Sequence, residues 1–162
     1  MRARFLLFAL LASSVQVLAA QSSIFLVRHA EKAAGDGVDA QDPDLSEAGR
    51  ARAESLALML RDAHLTAIYA TEFKRTQQTA APVARAAGLE VTSIPANETA
   101  TLVSKLKENE GNALVVGHSN TLPEIIKLLR FADSIIVGES EYDSLFVLTH
   151  GLPPQLLRLH YR

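Results

Sequence analysis

The chain has 162 residues, with 16 Lys and Arg against 18 Asp and Glu, a net charge of −2 and no cysteine. That length suits one compact domain rather than two. The charge balance lacks the basic stripe that nucleic-acid binding needs, and the absence of cysteine rules out disulfides and thiolate chemistry.

In chain order, Arg2 and Arg4 precede an apolar run from Phe5 to Ala12, and small residues follow at Ala19 and Ala20. A basic start, an apolar stretch and an A-x-A-like end predict a secretory signal peptide over 1–20. The competing reading is a membrane anchor, but Ser13, Ser14 and Gln16 interrupt a run already short for a full span. Cleavage would leave a domain over 21–162 with no stable membrane span, in the periplasm or outside the cell. Loss of Arg2 and Arg4 would take the net charge from −2 to −4.

The body alternates strand-like and helix-like segments. Residues 23–27 form an apolar first strand. A loop rich in Gly, Asp and Pro follows over 33–44. Ser46 is a natural N-cap for a helix running to about residue 63, with Ala53, Leu56, Ala57 and Leu60 at helical spacing. A second strand is predicted over 66–70. A second helix runs over 72–87, punctuated by Pro82 and stopped by Gly88. A strand over 89–94, a helix over 99–109, and a buried strand over 113–116 come next. A helix over 121–130 carries Pro123 in its first turn, where a missing N–H costs nothing. Strands over 144–149 and 155–161 are joined closely enough for an antiparallel hairpin. This alternation predicts an α/β fold: a three-layer sandwich with a mostly parallel central sheet flanked by helices and an antiparallel strand pair at the C-terminus.

Three strand ends carry chemistry. Arg28 and His29 follow the first strand, and ligands of open α/β sheets bind outside the carboxyl ends of strands. Arginine suits bidentate phosphate binding, and a histidine beside it can attack, trade protons or simply pack. Consecutive strand residues point to opposite faces, so the chain must leave strand geometry here to aim both at one ligand. Thr71 and Arg75 follow the second strand, where a helix start favours an anion. Thr71 or Thr76 can add a hydroxyl. Gly117 and His118 follow the most apolar strand, and Ser119 or Asn120 can cap the next helix. The acidic loop from Asp36 to Asp44 misses the calcium-loop pattern, and His64, His150 and His160 show no ligand spacing. No metal and no cofactor are expected.

Four motifs in order, Leu26-Val27-Arg28-His29-Ala30-Glu31, Leu45-Ser46-Glu47-Ala48-Gly49-Arg50, Arg75-Thr76-Gln77-Gln78-Thr79-Ala80 and Val116-Gly117-His118-Ser119-Asn120, resemble the histidine phosphatase superfamily, the phosphoglycerate mutase-like group. The compact length is most similar to the small bacterial phosphohistidine phosphatases. Ala30 stands where many relatives have Gly, and Thr71 where many have Ser. The resemblance implies that His29 is a nucleophile that becomes phosphohistidine, and that Arg28, Arg75 and a protonated His118 bind the phosphoryl oxygens. It also implies an acid after the second arginine to protonate the leaving group. Glu98 stands in about that place, although a first-turn glutamate has the helix dipole as an alternative reason to be there. Glu31 is a second candidate.

The resulting expectation is a metal-independent phosphomonoester or phosphohistidine phosphatase acting on a small phosphorylated substrate, as a monomer or weak dimer. The alternatives are a non-catalytic phosphate-binding module on the same fold, or a mutase-type phosphotransferase. A short chain gives the last little room for a lid.

Overall fold

The structure, a computed structural model, describes residues 22–35, 39, 41–151 and 153–162. The predicted signal peptide lies outside the described residues, as does part of the loop over 36–40. Ten elements follow in order: β1 (Ser23–Arg28), α1 (Glu47–Met59), β2 (Leu65–Ala70), α2 (Lys74–Ala87), β3 (Val91–Ser93), α3 (Thr99–Glu108), β4 (Asn112–Gly117), α4 (Thr121–Leu128), β5 (Ser144–Thr149) and β6 (Gln155–His160). The strands form one sheet in the order β3-β2-β4-β1-β5-β6. β1, β2, β3 and β4 run parallel, β5 lies antiparallel to β1, and β6 lies antiparallel to β5. The mostly parallel sheet with an antiparallel C-terminal pair is thus the one predicted.

The alternation of β4 shows how the layers are built. Ala113 and Val115 face one way, into a core shared with Leu102, Val103 and Leu106 of α3 and Leu122, Ile125 and Ile126 of α4. Leu114 and Val116 face the other way, into a core shared with Leu56 and Ala57 of α1 and Ala80, Val83 and Ala84 of α2. Successive strand side chains point to opposite faces, so an unbroken apolar run means cover on both sides. These four residues are buried to 1% exposure or less. Truncating Leu114 to Ala would cost about 2–5 kcal/mol.

Helix ends follow their capping chemistry. Ser46 accepts a 3.0 Å bond from the Gly49 N–H, as an N-cap should. α1 stops at Met59, earlier than its apolar spacing suggests. The bonds tighten after Leu60, and His64 turns the chain into β2 at φ 48. α2 starts at Lys74, two residues later than expected, and continues through Pro82 to Gly88, whose φ of 67 ends it. β3 keeps only three of the six residues predicted for it. No helix among the described residues is long and apolar enough to cross a membrane.

The carboxyl ends of β1, β2 and β4 meet. Arg28 pairs with Gly117 and Ala70 with Val116. One residue past β1, the His29 N–H donates to the Gly117 carbonyl at 2.9 Å.

Candidate active site

These three strand ends surround a cavity of about 320 Å³. Arg28, His29, Arg75 and His118 all line it. β1 ends at Arg28, so His29 and Ala30 have already left strand geometry, and both Arg28 and His29 reach the same space. The adjacent Ala30 N–H is held by the Thr79 hydroxyl at 3.0 Å, and the Thr79 hydroxyl donates to the Arg75 carbonyl. The turn after β1 is therefore tied to α2.

His29 is set up as a neutral base. Its Nδ1 lies 2.8 Å from the Ala30 carbonyl, an atom that can only accept, so Nδ1 carries the proton. The unshared pair is on Nε2, which has no hydrogen bond among the described residues. Burial, with smaller contributions from His118, Arg28 and Arg75, lowers its pKa to about 4 despite the opposing Ala30 contact. The imidazole is thus neutral near pH 7, with Nε2 unprotonated.

His118 is fixed by a chain of hydroxyls. Its Nε2 lies 2.9 Å from Thr71 Oγ1, and Thr71 Oγ1 lies 2.9 Å from Thr76 Oγ1. The Thr76 hydroxyl donates to backbone carbonyls of Thr71 and Phe73. Its one proton is thereby committed, so Thr71 donates to Thr76 and His118 Nε2–H donates to Thr71. The sequence reading expects a protonated His118. Instead burial and then Arg75 push it down to about 4, so the ring is neutral in this structure. Positive charge at the site comes from the guanidiniums, and a bound dianion would draw a proton onto His118.

Arg28 and Arg75 are held but not saturated. Arg28 Nη1 donates to the Gly138 carbonyl at 2.9 Å, and Nη2 donates to Glu139 at 3.1 Å. Its guanidinium stacks 4.4 Å from the Tyr142 ring. Arg75 lies 4.2 Å over Phe73 and 3.6 Å from Asp42. Among the described residues, the Nε of each of these two arginines is buried without a hydrogen-bond partner. Two orphaned guanidinium donors in one polar cavity are what an oxyanion would satisfy.

Three expected residues fall outside this cavity. Thr71 was expected to bind phosphate, but its hydroxyl is consumed by His118 and Thr76 and it does not line the cavity. Its hydroxyl holds the His118 ring through that contact. Glu98 is exposed at the start of α3 and lines an adjoining, mostly apolar cavity with Tyr69, Ile94 and Leu102. Ala96 borders both cavities, but Glu98 is not brought together with His29. Glu31 is drawn away by Arg52, which pairs with it at 2.7 Å and helps lower its pKa against burial. Ser119 does not cap α4; it donates to Glu139, while the Thr121 hydroxyl accepts the His118 N–H.

Lys32, Phe73, Ser119 and Glu139 also line the cavity, and the Tyr142 ring lies 6.1 Å from that of His29. Sequence reasoning missed all of these as site residues, and read Ser119 only as part of a motif and as a helix cap. Lys32 was within reach of a closer reading, three residues past His29. Glu139 and Tyr142 come from a loop without periodicity. Among the described residues, no group of three or more His, Asp or Glu is placed to hold a metal.

A mixed α/β sheet thus gathers two arginines and two histidines in one polar cavity at its parallel strand ends. Residues 24–98 match the model of the histidine phosphatase superfamily (branch 1). Phosphoserine phosphatase 1 of Hydrogenobacter thermophilus is 45% identical over 71 residues, which are 42% of this chain and 34% of that protein. The match thus spans about a third of the curated relative. The protein histidine phosphatase SixA, solved with tungstate, shares the fold at a TM-score of 0.67 and 15% identity, over 85% of this chain and 96% of that one. A mycobacterial glucosyl-3-phosphoglycerate phosphatase does so at 0.65 and 14% identity, over 86% and 98%.

Proposed function

We propose that this chain is a phosphoric-monoester hydrolase working through a covalent phosphohistidine on His29. The observation that carries this reading is the unprotonated His29 Nε2 in the same cavity as two unpartnered guanidinium Nε–H groups. A phosphoryl group held by Arg28 and Arg75 presents its phosphorus to that nitrogen. The N–P bond forms as the P–O bond to the leaving group breaks, and the leaving oxygen takes a proton from solvent water. Water then attacks the phosphohistidine, the N–P bond breaks, and inorganic phosphate departs with His29 restored. Phosphoryl transfer depends mainly on positioning and on neutralising charge spread over three oxygens. Two arginines and a His118 that gains a proton beside the dianion supply this without a metal.

The substrate is a small phosphorylated molecule or a phosphohistidine, the latter being the target named for SixA. The basic-then-apolar segment over 1–20 supports export, with an envelope or extracellular phosphate as substrate. The test is hydrolysis of an aryl phosphate in EDTA by purified protein and by His29→Ala. Turnover in EDTA that disappears with His29 supports the mechanism; turnover that survives the substitution overturns it. Tight phosphate binding with no turnover by the wild-type chain would leave a binding module.

A further inference from the structure

Glu139 is the one acidic side chain among the described residues that lines the His29 cavity. It sits in a turn closed by the Glu141 N–H donating to the Gly138 carbonyl at 3.0 Å. The Glu141 carboxylate accepts the Gly138 N–H at 2.6 Å and is held in turn by Arg158. The turn is therefore braced, and it lays its backbone against Arg28. The Gly138 and Glu141 carbonyls take Nη1 at 2.9 and 3.3 Å. Glu139 takes Nη2 at 3.1 Å, and its other oxygen accepts from Ser119 at 2.5 Å.

What remains of the Arg28 fork decides the matter. A guanidinium grips an oxyanion in bidentate fashion through Nε–H and the neighbouring Nη2–H. Here Nη2 is held by a carboxylate while Nε is buried with no partner. Glu139 thus holds one of the two nitrogens that such a phosphoryl group would grip. Bidentate phosphoryl binding must displace this carboxylate or share Nη2 with it, and like charges repel at such a distance.

We infer that Glu139 is a built-in competitor for Arg28, which weakens the hold on inorganic phosphate and so promotes product release. The inference rests on the phosphatase reading above. A dianion that makes both contacts outcompetes a carboxylate that makes one. When the leaving group has gone and the phosphohistidine has been hydrolysed, the same carboxylate stands ready to reclaim Nη2. Lys32, which also lines the cavity, offsets part of the negative charge that results.

The test is titration calorimetry with inorganic phosphate on the full chain, using wild type, Glu139→Gln, Arg28→Ala and the double variant. Glu139→Gln should bind phosphate about five-fold more tightly, as an exposed ion pair allows. The gain should narrow at high salt. With Arg28 removed, the Glu139 substitution should no longer change affinity. Unchanged or weaker binding by Glu139→Gln overturns the inference alone. An equal gain in the Arg28→Ala background overturns it too, because the effect would then be diffuse surface charge. A wild type that binds no phosphate overturns the phosphatase reading, and this inference with it.

Discussion

Thr71→Val removes the middle hydroxyl of the chain that holds His118. Valine has nearly the shape of threonine, so the packing survives and the loss is electrostatic. Thr71 is 8% exposed and Thr76 is fully buried, so no water readily replaces the hydroxyl. The His118 Nε2–H would be left without its acceptor at 2.9 Å, and a buried donor so orphaned costs about 1–3 kcal/mol. With a urea dependence of about 2 kcal/mol/M, a loss of about 2 kcal/mol lowers the unfolding midpoint by about 1 M. The same change frees the imidazole to rotate. A loss of about 1.4 kcal/mol of transition-state contact would lower kcat/KM about tenfold. Urea melts and steady-state rates on wild type, Thr71→Val and Thr71→Ser check both effects. Serine keeps the hydroxyl and should restore stability and rate together. A valine variant as stable and active as wild type would refute the reading that the Thr71 hydroxyl holds the His118 ring.

Other predictions concern titration, packing and the proton donor. His29 and His118 are both depressed to about 4 from an ordinary 6.5. The unfolded chain therefore binds their protons first, and the stability tied to their neutral forms is complete above pH 6.5 and is lost as pH falls toward 4. Urea midpoints between pH 7.5 and 4.5 should fall, and fall less steeply in His118→Gln. Gly49→Ala should cost about 1–3 kcal/mol by overpacking, because a Cβ there would overlap the Glu31 carbonyl; a thermal melt reads it. Glu98→Gln should change turnover of an alkyl phosphate less than about threefold, since proton transfer needs a carboxyl within hydrogen-bond reach. A much larger loss, confined to substrates with poor leaving groups, would restore Glu98 as the acid.

The frame of the site was legible because local rules and the fold agree. An apolar run such as Ala113 to Val116 can only be a strand covered on both faces, and Ser46 and Gly88 mark helix ends by their own chemistry. Once the strands were parallel, Arg28, His29 and His118 had to gather at one end. Thr71 was placed near the site correctly, but whether a hydroxyl faces a ligand or a neighbouring ring depends on a few ångströms that spacing does not encode. Glu98 shows the same limit, since its position depends on how α3 enters from a three-residue strand. Glu139 and Tyr142 lay beyond reach. They belong to an irregular loop, with no period, and it reaches Arg28 only through the packing of the α4–β5 connection.

The central claim is that His29 carries the phosphoryl group. Brief exposure of the purified chain to a labelled phosphodonor, a rapid quench in base and peptide mapping measure this directly. The account predicts one acid-labile, base-stable phosphate on the peptide containing His29, absent from His29→Ala and retained in His118→Gln at reduced yield. Label on another residue, or turnover with no label on His29 under conditions that trap the intermediate, would contradict it.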